Sequence, residues 1–187
     1  MKYNKTITLK DGKTCTIRNA TEQDAKDVLS VFVLTHEQTD FLTTYPEETS
    51  FTLDREKEYL KDKADNEREI ELVAEIGGTI VGMAGIAPVG KTEKVKHRVS
   101  FGVCIEKSRW GLGVGRALTE ACIECARKAD YIQIELEVVS ENTRALALYQ
   151  SVGFVEYGRN PKGFRSRTSG WQEIVHMRLE LDRYRNK

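Results

Sequence analysis

The sequence has no excess of either charge: 29 Lys and Arg residues face 29 Asp and Glu residues. Nucleic acids and acidic membrane surfaces recruit basic proteins through a field that this chain lacks, so neither is expected as a partner. No apolar run approaches the ~20 residues that a membrane-spanning helix needs. The opening Met1-Lys2-Tyr3-Asn4-Lys5 leads into alternating residues and not into an apolar leader core, so no export signal is expected. Cysteine is sparse, at Cys15, Cys104, Cys122 and Cys125, and without export these read as reduced thiols of a cytoplasmic protein. Cys122 and Cys125 form a C-x-x-C pair inside a helical pattern. No second pair is spaced to complete a tetrahedral zinc site, so they read as small core residues and no metal is expected. Internal repeats and low-complexity tracts are absent. What remains is 187 residues, 40% hydrophobic and 31% charged, the size and balance of one globular domain over 1–187.

Residues 5–18 alternate around Asp11-Gly12, a hairpin signal in which both turn positions would take positive φ. Thr21, with Asp24 three residues on, opens an amphipathic helix to about Leu34 through Ala25, Val28, Leu29 and Phe32. Residues 35–50 are polar and irregular around Pro46, and a charged helix is expected over 52–65. Ile70–Ile76 and Thr79–Ile86 form strands about the Gly77-Gly78 turn. Residues 89–97 are a basic loop, and Val99–Ile105 is another strand. A helix with Val114, Leu118, Ala121, Cys122 and Cys125 on one stripe runs to about Lys128. Ile132, Ile134, Leu136 and Val138 alternate in a half-buried strand. A short helix over 143–152, a strand near 154–159 and a last strand over 174–181 complete the chain. This order predicts a mixed sheet with helices on its faces.

The segment from Val103 to Leu118 passes from strand end through Gly111-Leu112-Gly113-Val114-Gly115 into a helix. First-turn amides have no partners within the helix, and its dipole favours an anion there. Glycines let a phosphate approach those amides, so Gly111, Gly113 and Gly115 are candidate phosphate-cradle residues. The P-loop ending is missing, because Gly115 is followed by Arg116-Ala117. The dinucleotide fingerprint is also incomplete, with Arg116 at its third glycine, although Glu135 lies at the distance of its acid. A nucleotide-binding enzyme therefore remains as an alternative reading.

Downstream stands Asn142-Thr143-Arg144-Ala145-Leu146-Ala147-Leu148-Tyr149-Gln150-Ser151-Val152-Gly153-Phe154. With the glycine turn before it, this segment resembles the GNAT acetyltransferase superfamily, with Asn142, Ala145, Tyr149 and Gly153-Phe154 at the family's positions. The ending from Gly170-Trp171-Gln172-Glu173 to Met177 resembles the branch of ribosomal-protein and amino-acid N-acetyltransferases. The turn departs from the family pattern: Trp110 occupies the place usual for Gln or Arg, with Arg109 one position early.

The resemblance implies a mostly antiparallel α/β sheet of six to seven strands with helices on both faces. It implies transfer of the acetyl group of acetyl-CoA to a primary amine by direct attack in a ternary complex. The acceptor would be a small molecule, an amino acid or polyamine, or a protein N-terminus. A homodimer is an expectation from the resemblance alone, since the sequence does not give the oligomeric state, and a non-catalytic CoA-binding sensor is the other alternative. The implied cofactor-binding residues are Val103, Ile105, Trp110, Gly111, Leu112, Gly113, Val114, Gly115, Arg116, Asn142, Ala145 and Tyr149. Val103 and Ile105 would bond the pantetheine arm through their backbone, and Tyr149 would be the general acid for the leaving thiolate. An amine must be neutral to attack, so a base or water chain is needed. Glu71, Glu106, Glu135, Glu137 and His97 are all open as that base. His36, between the first two helices, is a candidate at the acceptor site.

Overall fold

The Lys10-Asp11-Gly12 loop joins β1 (Asn4–Thr8) to β2 (Thr14–Asn19). Of its residues only Gly12 takes a positive φ, at 82°. The Gly12 amide bonds the Leu9 carbonyl at 3.0 Å, and Leu9 bonds Lys13 at 2.8 Å. The loop is thus a three-residue turn ending in one left-handed glycine, where the Asp-Gly pair had predicted two left-handed positions. These coordinates come from a computed structural model that describes residues 1–48 and 51–181.

The capping box at Thr21 and Asp24 forms as expected and leads through a single 3-10 turn into α1 (Ala25–Gln38). Arg18 secures that entry by pairing with both Asp24 and Glu75 at 2.8 Å. Thr52 caps α2 (Leu53–Asp65). Then come β3 (Ile70–Ile76), β4 (Thr79–Pro88), β5 (Arg98–Ile105), α3 (Val114–Lys128), β6 (Gln133–Val139), α4 (Thr143–Ser151), β7 (Val155–Ser166) and β8 (Gly170–Glu180).

The sheet has eight strands in the order β1-β2-β3-β4-β5-β6-β8-β7. That is slightly more than the six to seven that the resemblance implied, and equals the number of strand segments read along the chain. β7 and β8 are also longer than the sequence suggested. β7 continues through Asn160-Pro161-Lys162-Gly163 as a register shift on the sheet's edge. Edge strands tolerate proline because no neighbour needs its missing N–H.

Every junction is antiparallel except β5–β6, which is parallel. A parallel pair needs a crossover, and α3 supplies it. One face packs α3 and α4 over Ile70, Leu72, Val81, Ile86, Val99 and Phe101, with Leu118 and Cys122 fully buried among them. Burying one such side chain contributes roughly 1.5–3 kcal/mol. Cys122 and Cys125 belong to this core. The other face packs α1 and α2 through Val28, Val31 and Leu60 onto Val73 and Ile80.

Candidate active site

The parallel junction is also where the sheet opens. β5 pairs with β6 only from Arg98 to Ser100, while its pairing with β4 continues to Ile105. The Val89 amide bonds the Arg98 carbonyl at 3.1 Å, and the Glu106 amide bonds the Val81 carbonyl at 2.9 Å. Hydrogen-bonded pairs alternate along an antiparallel ladder, so even-numbered residues of β5 bond β4. Phe101, Val103 and Ile105 therefore turn their peptide groups away from β4, into the gap left by β6. The register leaves the Val103 and Ile105 peptide groups facing the gap, as their candidate role requires. The Ile105 carbonyl is already engaged, accepting the Trp110 indole N–H at 2.8 Å. Trp110 at the departure position is thus a brace between strand end and turn.

α3 begins at the mouth of this gap. Gly113 is its N-cap at φ 107°, a left-handed conformation that other residues resist. Gly115 passes so close to the strand that an added Cβ would lie 3.1 Å from Ile105 Cδ1. The helix presents its unpaired first-turn amides and its positive dipole end to the cavity.

That cavity measures about 460 Å³ and is lined by Val103, Ile105, Trp110, Gly111, Gly113, Gly115, Arg116, Asn142, Ala145 and Tyr149. Ten of the twelve candidate cofactor residues therefore meet at one place. Leu112 and Val114 do not line it. Val114 is fully buried in the core. The Leu112 carbonyl instead accepts the Lys10 amide at 3.1 Å, tying the first hairpin to the turn.

Three cations join Arg116 on the cavity wall: Lys10, Arg109 and Arg144. Among the described residues no carboxylate lines it. Arg109 Nε is buried without a hydrogen-bond partner, and Arg144 stacks 5.4 Å above the Trp110 ring. Four cations, free helix amides and a strand with unpaired peptide groups match the two ends of a phosphate-bearing pantetheine. Lys10 lies outside both sequence motifs. Arg144 lies within one but carries no signature that separates it from a surface arginine.

Tyr149 is buried on α4, edge-on to Phe101 with ring centroids 6.1 Å apart. Burial pushes its phenol above the usual range, which keeps the proton in place. Asn142 caps α4 by accepting the Ala145 amide at 3.2 Å, and also lines the cavity.

A second cavity of about 290 Å³ lies on the α1–α2 face and shares Leu42, Val103 and Cys104 with the first. Glu71 and His36 line it. His36 stacks on Phe32 at 3.8 Å, and its Nδ1 proton is donated to the Phe32 carbonyl at 2.6 Å. Burial lowers its pKa, so the ring is neutral with Nε2 as a free acceptor.

The five open base candidates separate clearly here. Glu135 is held ionised by Arg98, Glu137 is exposed opposite His176, and Glu106 accepts from Ser108 and faces Arg109. His97 is exposed on a loop. Glu71 alone of the five lines either cavity, and burial lifts its pKa to about 7 against a partial offset from Lys63.

Known proteins resemble this chain in sequence and fold. The model of the acetyltransferase (GNAT) family matches residues 32–154. N-alpha-acetyltransferase RimI of Mycobacterium tuberculosis is 37% identical over 92 residues, 49% of this chain and 56% of its own. L-amino acid N-acyltransferase MnaT of Escherichia coli is 29% identical over 59% of this chain and 64% of its own. The chain thus spans a little over half to just under two thirds of these relatives. A GNAT-family acetyltransferase from Streptococcus pneumoniae superposes with TM-score 0.84 at 26% identity, over 89% of this chain and 99% of that one. A Salmonella typhimurium protein solved with its cofactor acetyl-CoA shares the fold at TM-score 0.80 and 20% identity, over 91% and 96% of the two chains. The matched span runs from α1 through the opened β5 edge and the glycine turn to Phe154, and with it the chain belongs to the GNAT acetyltransferase family.

Proposed function

We propose that this protein transfers the acetyl group of acetyl-CoA to a primary amine by direct attack within a ternary complex, as one acyltransferase domain over 1–187. The observation that carries this reading is the gap beside β5, with strand peptide groups that no neighbouring strand pairs on one side and, among the described residues, a lining of four cations and no carboxylate at its mouth. Gly111, Gly113, Gly115 and Arg116 hold the pyrophosphate, with Leu112 and Val114 contributing at most their backbone. Arg109 supplies the guanidinium that Trp110 does not. Val103 and Ile105 receive the pantetheine arm, and the Val103 amide points to where an oxyanion would develop. Asn142 and Ala145 flank the arm. Tyr149 protonates the departing thiolate, its raised pKa keeping it a donor.

The acetyl-CoA seen in the Salmonella neighbour supports the cofactor, and the names of the curated relatives support amine acetylation. Cytoplasmic residence fits an acetyl-CoA supply and four unpaired cysteines, and no described helix is long and apolar enough to cross a membrane. A homodimer rests on the family alone, and light scattering after size exclusion reads it. The central test is calorimetry with acetyl-CoA, NAD and ATP, followed by thiol release over a panel of amines. Acetyl-CoA should bind most tightly and turn over. Tighter NAD binding would restore the nucleotide reading, and binding without turnover of any amine would restore the sensor.

A further inference from the structure

Glu71, Gly85 and Gly102 are direct neighbours across β3, β4 and β5. The Glu71 side chain points to the α1–α2 face, the face on which Gly85 and Gly102 carry no side chain, and Gly102 is exposed there with open space above it. A Cβ on Gly85 would lie 2.3 Å from Glu71 Oε2. The carboxylate therefore lies over Gly85, about one strand spacing of ~4.8 Å from Gly102. Gly102 adjoins Val103, whose peptide groups face the gap. Gly85 thus makes room for the buried carboxylate, and Gly102 leaves an open lane from it to the place where the thioester would sit. Ala87, Ser100 and Cys104 extend this floor with small side chains, and Phe32, His36 and Tyr59 wall it.

Building on the acetyl-transfer reading above, we infer that this lane is the amine-acceptor site. Glu71 takes the ammonium proton there, and the site admits primary amines with no carboxylate on the carbon that bears the nitrogen.

The proton step follows from the placement. Glu71 receives a proton from R–NH3⁺, directly or through one water. The neutral nitrogen attacks the thioester carbonyl, forming the C–N bond and an oxyanion. Collapse breaks the C–S bond, and the thiolate takes a proton from Tyr149. The acetylated nitrogen returns its surplus proton to the phenolate, and Glu71 releases its own to solvent. The products are an N-acetyl amine and CoA thiol.

Charge sets the acceptor class. From α2, Glu56, Tyr59 and Lys63 face Glu71, with His36 from α1 and Cys104 from β5. Tyr59 donates to Glu71 Oε2 at 3.4 Å. Lys63 is the cation on this wall, and it is paired with Glu69. His36 is neutral. An α-carboxylate would enter beside Glu71 and find no unpaired cation among these groups. A decarboxylated amine or a peptide N-terminus meets only the attraction.

The test compares kcat against pH, by thiol release, for wild type, Glu71→Gln and Tyr59→Phe, with acetyl-CoA affinity measured in parallel. Acceptors are matched triplets: an amine, the dipeptide amide and the free amino acid bearing the same side chain. Wild type should show an acid limb near pH 7 and prefer amine or dipeptide amide over amino acid by tenfold or more in kcat/KM. Which of the two leads identifies the source of the acceptor. Glu71→Gln should lose roughly 10²-fold in kcat together with that limb, at unchanged acetyl-CoA affinity. Tyr59→Phe should move the limb upward in pH, because it removes a donor to the ionised carboxylate. A Glu71→Gln enzyme with wild-type kcat and limb overturns the base. Free amino acids used as well as their partners, or no triplet turned over by an enzyme that binds acetyl-CoA, overturn the acceptor site. Failure of wild type to bind acetyl-CoA would instead overturn the acetyl-transfer reading.

Discussion

Tyr149 and Glu71 approach the opened strand from opposite faces of the sheet, and burial raises both of their pKa values. For a phenol that means a retained proton, and for a carboxyl it means a base poised near neutrality. Tyr149→Phe keeps the ring against Phe101 and Phe154 and removes only the hydroxyl. Single-turnover rates should fall roughly 10²–10⁴-fold, or less if water reaches the thiolate, while acetyl-CoA affinity stays close to wild type. A near-wild-type single-turnover rate would make Tyr149 a packing residue. Tyr149 and Asn142 were legible in the sequence because their spacing to Gly153-Phe154 is a motif. Glu71 was legible only as one of five strand or near-strand groups. What distinguishes it is the packing of Tyr59 and Lys63 from α2 above the sheet, a contact no local pattern encodes. Lys10 was missed for the same reason, since a turn lysine reads as solvated until the hairpin docks on Leu112.

At the scale of elements, the strand-turn-helix unit around α3 was readable almost residue by residue. Its glycines, apolar stripe and position after a strand are all local signals. Gly113→Glu should abolish acetyl-CoA binding, because a carboxylate would then stand at the anion end of the helix. Gly113 sits at φ 107°, so any side chain there also strains the turn. Gly113→Ala is therefore the control. Calorimetry with circular dichroism should show a folded Ala variant that still binds and a folded Glu variant that does not. Equal affinities in the two would remove the phosphate cradle. The β7–β8 hairpin was less legible, because the strand expected near 154–159 bulges between Asn160 and Phe164 and continues to Ser166. Nor did the sequence show what its turn touches. Asp40, in the loop after α1, accepts hydrogen bonds from Ser166 at 2.6 Å, Ser169 at 2.8 Å and Thr168 at 3.1 Å. Those hydroxyls hold its carboxyl below the usual range, Ser166 most strongly. Asp40→Ala should cost about 1–2 kcal/mol in denaturant unfolding. An unchanged midpoint would mean that water replaces the clamp without loss.

Across the whole molecule, the parallel β5–β6 junction joins the two faces of the sheet, with the glycine turn and the cation-lined cavity near α3 and the glycine lane under α1 and α2. Holding a carboxylate under that second face has a consequence for stability. Glu71 has a folded pKa of about 7 against an ordinary 4.5, so between those values the folded state binds the proton that the unfolded state has lost. Its contribution to stability is therefore complete below about pH 4.5, declines as pH rises, and is gone above pH 7. Asp24 and Glu135 act in the opposite sense. Their pKa values are lowered mainly by Arg18 and Arg98, against the opposing effect of burial, so their contribution holds above the ordinary carboxylate range and is lost in acid. The wild type should be most stable in mildly acidic solution and weaken toward pH 8. Glu71→Gln mimics the protonated carboxyl and should flatten the decline toward pH 8, leaving only what Glu56, also raised by burial, contributes to it, with the acid loss intact. The displacement of about 2.5 pKa units corresponds to a difference on the order of 3 kcal/mol between the two proteins' pH dependences. Thermal or urea unfolding of both proteins at half-unit steps from pH 4.5 to 8.5 would read it directly. Parallel curves would mean that Glu71 ionises in the folded protein as it does in the unfolded chain, and its poise as a base near neutrality would go with them.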